Sequence, residues 1–361
     1  MKILKAFKFR LKTNKTQQAN MRNFAGSCRF VWNKTLATQK ERLTAGQSCM
    51  NYSKMAAMLV DWKQQDDTSF LKEVHSQILQ QKLMDLDKAL QEAFDKTSPK
   101  QFPRFKKKAL SVDSFRYPQG FKIEETNNRV YLPKIGWVRY IKSRKIEGTP
   151  KNITVKRDNE NWYFSIQTEL EIEEPIHNSK TEVGIDMGIA QFATLSNGTV
   201  IAPINSFAKH ESKLRKEQRK LSSKIKFSNN WKKQVTKVQQ CHERIRNVRY
   251  DFLHKATTEI SKNHAIIVIE DLKTANMSKS ARKTKENPGK NVKAKSGLNK
   301  SILDQGWGEF RRQLEYKQLW RGGSSLSKSK WRRGGFCAPQ RRRRLTYVEQ
   351  GAQKQRSIHL I

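Results

Sequence analysis

Five consecutive apolar residues, Ala265-Ile266-Ile267-Val268-Ile269, run directly into Glu270-Asp271 and constrain the fold more than any other stretch. A short apolar run rich in β-branched residues and closed by polar ones reads as a buried strand. A second run, Val183-Gly184-Ile185-Asp186, has the same form and also ends on a carboxylate. Set side by side in one sheet, the two strands aim Asp186 and Glu270 at a common spot. Hard cations such as Mg²⁺ or Mn²⁺ take oxygen ligands of this kind. Two such ions about 3.5–4 Å apart can clamp both oxygens of an in-line phosphoryl displacement, which takes roughly three or four carboxylates. The plainer reading is that both acids simply end their strands.

The rest of the chain changes period several times. Phe7, Phe9 and Leu11 alternate with Lys8, Arg10 and Lys12, a half-buried strand with a basic outer face. Met21, Phe24, Ala25, Cys28, Val31, Trp32 and Leu36 then fall three or four apart, a helix with Asn14 or Thr16 as its cap. A second helix carries Val74, Ile78, Leu79, Leu86, Leu90, Ala93 and Phe94. From Gln101 the pattern becomes short alternating stretches: 130–132, 137–140, 153–155 and 162–166, read as strands of a small barrel or sheet. The acidic stretch from Glu169 to Glu174, closed by Pro175, reads as a linker. Asn197-Gly198 between apolar runs signals a hairpin. Two basic helices follow, roughly 207–225 and 231–260. Ser278 to Lys300 is Lys-rich and reads as mobile, and a last helix is expected from about Ile302 to Trp320.

Charge narrows the class of partner. Lys and Arg total 73 against 33 Asp and Glu, a formal net charge of +40. Such a surplus repels itself unless polyanions neutralise it, and phosphate backbones are the usual polyanion. The basic run after Phe102-Pro103 (Arg104, Lys106, Lys107, Lys108), the helix residues Lys213, Arg215, Lys216, Arg219 and Lys220, and the pair Lys232 and Lys233 are the candidate phosphate contacts. The bland alternative for the helix residues is a solvated face. No apolar run reaches the roughly 20 residues of a membrane span, and Met1–Lys5 lacks the apolar stretch of a secretory signal. Cys28, Cys49, Cys241 and Cys337 form no Cys-x-x-Cys pair and read as free thiols of a reducing compartment. Cys241-His242 is at most half a metal site.

Eight short motifs, taken in order, carry a family resemblance. They are Phe30-Val31-Trp32-Asn33, Pro103-Arg104-Phe105-Lys106, Leu132-Pro133-Lys134-Ile135-Gly136, Gly184-Ile185-Asp186-Met187-Gly188, Ser228-Asn229-Asn230-Trp231-Lys232-Lys233, Arg249-Tyr250-Asp251-Phe252-Leu253-His254-Lys255, Ile269-Glu270-Asp271-Leu272 and Asp304-Gln305-Gly306-Trp307-Gly308. In this order the chain to about Gly323 resembles TnpB, the insertion-sequence protein also called OrfB transposase. The resemblance implies an RNA-guided DNA endonuclease, located in the prokaryotic cytoplasm with the nucleoid, that uses Mg²⁺ or Mn²⁺. It implies an α+β multidomain chain. A wedge-like β-barrel is expected over residues 1–12 and 100–176, with a helical recognition lobe inserted at 13–99. A RuvC-type, RNase-H-like α/β nuclease domain is expected over 177–323. Asp186 and Glu270 become catalytic metal ligands, and guide RNA with double- and single-stranded DNA become the partners.

The chain departs from that family after Gly323. The family carries two Cys-x-x-Cys pairs of a zinc ribbon there, then a helix with a third catalytic Asp. Residues 324–361 hold ten Lys or Arg, one acid (Glu349) and one cysteine (Cys337). This basic tail reads as out of frame; a genuine RNA-binding tail is the alternative. No zinc is expected, the metal is expected to be weakly held, and no third carboxylate is evident, Asp304 being the remaining candidate. Three functions stay open: a guided endonuclease, an RNA- and DNA-binding protein that no longer cuts, and a basic structural component of a ribonucleoprotein.

Overall fold

The structure, a computed structural model, describes residues 2–108, 112–282, 284 and 287–327. It divides into two compact units with the boundary between Ile172 and Glu173.

The first unit begins with β1 (Lys2–Lys12), then α1 (Lys15–Thr44), α2 (Tyr52–Gln64), a 3₁₀ segment (Asp66–Glu73) and α3 (Ser76–Phe94). Six strands follow: β2 (Ser114–Tyr117), β3 (Lys122–Glu124), β4 (Arg129–Leu132), β5 (Gly136–Ile141), β6 (Thr149–Asp158) and β7 (Asn161–Glu171). All seven pair antiparallel in the order β2-β6-β7-β1-β5-β4-β3. The alternation in β1 does what its pattern dictates. Phe7, Phe9 and Leu11 enter the core, where Phe9 packs on Tyr140 and Phe164 with ring centroids 5.3 and 5.4 Å apart. Asn14 caps α1, its side chain accepting from the Gln17 N–H at 2.8 Å while Gln17 returns a bond to the Asn14 N–H. This reciprocal pair satisfies two helix-end donors that would otherwise be orphaned. The helices then bury one apolar side, including Met21, Phe24, Val31, Leu36, Ile78, Leu83 and Leu86, in the same core as the strands.

The second unit contains β8 (Glu182–Met187), β9 (Ala193–Leu195), β10 (Val200–Ile201), α4 (Ser206–Ser222), α5 (Asn229–Asn263), β11 (Ile266–Ile269), α6 (Thr274–Met277), α7 (Val292–Gln305), α8 (Trp307–Arg321) and β12 (Ser324–Ser327). Its sheet runs β10-β9-β8-β11-β12, with β11 parallel to both β8 and β12 and the β8-β9-β10 edge antiparallel. One sheet face is roofed by α5 and α8. Val183, Ile185, Met187, Ile267 and Ile269 meet Leu253, Ala256, Ile260, Phe310 and Leu314 there. Phe192 wedges between Phe252 and Phe310, edge-on at 5.1 and 4.9 Å.

Several expectations need correction. The strands of the first unit form an open sheet and not a closed barrel, because among the described residues β2 and β3 pair on one side only. Glu169–Glu171 is the end of β7, not linker; Lys2 pairs with Glu169 and Glu171 at 3.5 and 3.1 Å and holds it in the sheet. The Lys-rich segment is partly helical, since α7 starts at Val292. The expected last helix is two helices, broken at Gly306, whose φ of +73° is left-handed. The parallel sheet also continues past Gly323, with β12 reaching Ser327. The rest of the basic tail, including Cys337, Arg341 to Arg344 and Glu349, lies outside the described residues.

Candidate functional site

Strand register decides where the two carboxylates go. β8 and β11 are parallel neighbours paired Val183↔Ile267, Gly184↔Val268 and Ile185↔Ile269. The last pair is Ile185↔Ile269, and Asp186 and Glu270 are each the next residue along the chain; neighbouring strands lie about 4.8 Å apart. Alternation puts Asp186 on the sheet face away from the buried Ile185 and Met187, while Glu270 directly follows the last residue of β11. Asp186 is exposed and Glu270 half-exposed. In a chain with 40 surplus positive charges, neither has a hydrogen-bond or ion-pair partner among the described residues. Gly188, two residues beyond Asp186, sits where a Cβ would come within 2.9 Å of the Gln191 carbonyl, so the loop after Asp186 is tight.

Those facts fit a divalent cation. Mg²⁺ usually binds through one or two carboxylates, with water and substrate phosphate oxygens filling the remaining positions. Two adjacent carboxylates facing solvent and not neutralised by Lys or Arg offer that donor set. Among the described residues, no group of three or more His, Cys, Asp and Glu side chains gathers to hold a metal. Asp271, next in sequence, is committed elsewhere, in an ion pair with Arg311. Cys241 is a free thiol on α5, as Cys28 and Cys49 are on the first unit.

Asp304 has a different job from the one its position suggests. It is 5% exposed and lies near the C-terminal end of α7. Its oxygens accept from Ser206 Oγ at 3.0 Å and from the N–H groups of Phe207 at 2.9 Å and Ala208 at 3.4 Å; Arg249 Nη1 stands 3.7 Å away. These are the first-turn donors of α4, whose own N-cap residue, Asn205, makes no side-chain cap. Asp304 therefore caps a helix 98 residues away in sequence.

With this geometry in hand, comparison with known proteins is decisive. The chain is 56% identical over 327 residues to a protein described as "Putative RNA-guided DNA endonuclease InsQ" from Escherichia coli (strain K12), covering 91% of this chain and 81% of that one. It is 32% identical over 333 residues to a "Putative RNA-guided DNA endonuclease" of Streptomyces pristinaespiralis, covering 91% and 78%. The chain belongs to the TnpB family of insertion-sequence proteins. A family described as "Probable transposase" matches residues 165–281, and one described as "Helix-turn-helix domain" matches residues 1–48. In the structure that second region is β1 followed by the single long helix α1. A chain of the "Cryo-EM structure of the Cas12f1-sgRNA-target DNA complex" aligns at TM-score 0.46 and 13% identity, over 90% of this chain and 89% of that one.

Two of the family motifs turn out to touch. Trp32 Nε1 donates to the Arg104 carbonyl at 3.0 Å, and Asn33 exchanges two bonds with the Lys106 backbone at 2.8 and 2.9 Å. Lys106 Nζ lies 3.5 Å from the centroid of the Trp32 ring. The Phe30–Asn33 stretch of this TnpB chain thus holds its Pro103–Lys106 stretch in place. Arg104, Lys107 and Lys108 are exposed, whereas Lys106 is half-buried, and burial, helped by the charge of Lys82, lowers its pKa to about 8. On α4 and α5, Lys213, Arg215, Lys216, Arg219, Lys220, Lys232 and Lys233 are all exposed. Arg215 pairs with Glu211 at 3.1 Å and Lys220 with Glu217 at 3.4 Å, so part of their charge is answered locally.

A further basic surface was missed by sequence reading. The outward positions of β1, β7, β6 and β2 bring Lys8, Tyr163, Ser165, Thr154, Lys156 and Arg116 to one open hollow of about 260 Å³ beside Lys82 and Asp85. Register makes the grid: Lys8 faces Ser165, which faces Thr154, which faces Arg116. The signal available in sequence was basic and hydroxyl residues at every second position, but it is spread over four strands.

Proposed function

We propose that this chain is an RNA-guided DNA endonuclease in which Asp186 and Glu270 hold a divalent cation at a RuvC-type, RNase-H-like site. The observation that carries the reading is a pair of unneutralised carboxylates at the C-terminal ends of parallel neighbours β8 and β11, in a chain 56% identical to a protein so named. When bound, the cation supplies charge stabilisation to a phosphodiester under attack. The chain's own residues do the rest. Asp186 and Glu270 place the ion, and the sheet beneath them fixes their separation. The basic residues hold the phosphate backbones of guide RNA and DNA. The first unit, with α1–α3 inserted between β1 and β2, is read as the wedge-like sheet and recognition lobe, and residues 177–323 as the nuclease domain.

A second reading, an RNA- and DNA-binding protein that cuts poorly, draws on the absence of a third carboxylate beside the pair among the described residues. Nucleic-acid binding is common to both. Freshly purified full-length protein is expected to carry cellular RNA. Its affinity for RNA is expected to fall about 10³- to 10⁵-fold between 50 and 200 mM salt, as for roughly six to ten phosphate contacts. Protein free of RNA, with affinity indifferent to salt in a filter-binding titration, would remove both readings.

Lys106 adds a pH dependence with a definite sign. Its pKa is about 8 in the free protein, and a phosphate beside it favours the charged form and raises that value in the complex. Its contribution to binding is therefore complete below pH 8 and is lost as pH rises through 8 toward the pKa of the complex. RNA affinity is expected to weaken by up to about tenfold per pH unit in that window. Lys106→Arg, always charged, removes this part of the dependence. An unchanged pH profile in fluorescence-anisotropy titrations of Lys106→Arg would show that Lys106 does not meet phosphate.

A further inference from the structure

The turn between α4 and α5 is built for something outside the protein. Ser223 to Ser228 joins two long helices, and its side chains point outward: Ile225 is 83% exposed and Phe227 74%. Phe227 has φ +68°, the left-handed region where a bulky side chain is strained and where Gly or Asn would ordinarily sit. Strain of this kind persists where the surroundings impose it and clusters at functional positions. Phe227 buries little in return. Among the described residues its one ring contact is Trp231, in the first turn of α5, at 5.5 Å and 51°. Ser228 caps α5 by accepting from the Trp231 N–H at 3.1 Å, which fixes where that ring begins.

Charge says what partner this tip meets. Between Glu217 and Glu243 the chain has seven Lys or Arg and no Asp or Glu. Glu217 is itself engaged by Gln234 at 2.7 Å and Lys220 at 3.4 Å. Lys232 and Lys233 lie in the first turns of α5, where the helix dipole disfavours cations, so they are placed there against local helix stability. A strongly positive tip bearing two offset aromatic rings matches a nucleic acid with unpaired bases. Aromatic side chains stack on such bases while cations track the backbone. Structured RNA presents splayed bases in loops and bulges, which a DNA duplex does not. The positive strip also runs from the tip down both helices, through Arg219 and Lys220 on α4 and Lys237 on α5, which a collar around a membrane-inserted loop would not need.

We propose that Phe227 and Trp231 form a base-stacking contact for an unpaired base of RNA at the tip of the α4–α5 hairpin. The proposal rests on the reading that this chain binds RNA. It adds base contacts at Phe227 and Trp231 beside the phosphate contacts already expected of Lys232 and Lys233.

The test uses the full chain and a fluorescently labelled stem–loop RNA with an unpaired loop. Phe227→Ala and Trp231→Ala are each expected to weaken binding about 5- to 150-fold, the range that roughly 1–3 kcal/mol of base–aromatic stacking converts to. The slope of affinity against salt should stay as in the parent, because no charge is removed. Phe227→Gly relieves the left-handed strain, so it should lose RNA affinity to the same extent without lowering the melting temperature. Parent-like affinity in the Phe227→Ala/Trp231→Ala double variant overturns the proposal, and so does a Phe227→Gly melting point lowered like that of a core deletion. Loss of binding to anionic phospholipid vesicles with RNA affinity intact also overturns it, in favour of a membrane contact. Should the parent protein fail to bind the stem–loop at all, the broader RNA reading fails first, and that outcome is visible before any variant is made.

Discussion

Asp186→Ala and Glu270→Ala are each expected to lower guide-dependent DNA cleavage by about 10³-fold or more, since several kcal/mol of transition-state charge stabilisation depends on the ion they place. Asp186 lies near the end of β8 and Glu270 just past the end of its parallel neighbour β11, and no group of three or more metal-ligating side chains gathers among the described residues. The parent chain is itself expected to cut slowly, with two carboxylates where a well-fixed pair of ions needs more. The sensitive background for these variants is therefore a chimera in which residues 324–361 are replaced by the corresponding C-terminal segment of the E. coli relative. A second readout is independent of cutting. Titration calorimetry with Mn²⁺ should show weak binding by the parent and none by either variant. Cleavage by the parent at the chimera's rate, abolished by Asp186→Ala, would mean that the chain already contains a further ligand.

Asp304→Ala is expected to destabilise the second unit by about 3–5 kcal/mol, the usual cost of removing one partner from a buried charged pair. Three kinds of partner are stranded at once: the Ser206 hydroxyl, the first-turn N–H groups of α4, and the Arg249 guanidinium. Asp304→Asn keeps one acceptor and should cost roughly half as much, because a buried donor left unmet costs about 1–3 kcal/mol. Urea unfolding of both variants measures this. If Asp304 were a metal ligand instead, its replacement by Ala would leave stability unchanged or raise it, as removing one of several crowded carboxylates does. A stable, inactive Asp304→Ala protein would therefore return this residue to the candidate metal site.

What could be read in the sequence was whatever is local. The run Ala265–Ile269 gave a strand because its apolarity is contiguous, and the start of α1 was narrowed to a cap at Asn14 or Thr16, between which the structure chooses Asn14. That Asp186 and Glu270 lie at the ends of parallel neighbouring strands was legible for the same reason, since each follows a contiguous apolar run. Even there the reading was incomplete: Ile267 and Ile269 are buried, but Ile266 and Val268 are only half-buried, on the face that carries Asp186. Helix α2 was passed over because Ala56, Ala57, Met58 and Val60 blur the stripe of Met55, Leu59 and Trp62 that it buries. Helix α7 was hidden because, of its 14 residues, only Ile302, Asp304 and Gln305 are buried, at its very end. The role of Asp304 was out of reach, for the α4 groups it caps lie 96 to 98 residues away and no periodicity spans that gap. The basic hollow on the first unit needed the register of four strands before its residues became neighbours.

Helix α5 runs unbroken for 35 residues, from the Trp231 turn to Asn263, and the chain passes at once into β11, which Glu270 directly follows. At 1.5 Å per residue that is about 52 Å of rod, with its near end clamped by Leu253, Ala256 and Ile260 against the sheet. Long helices bend only gently, with radii of about 60–100 Å. A load on the hairpin tip is thus carried as leverage on the sheet rather than absorbed in a joint, and the trans cap on α4 from Asp304 braces the second arm of the same lever. Mechanically, the far end of the hairpin and the strand leading into Glu270 are one stiff part, so whatever fixes the orientation of the one sets the aim of the other.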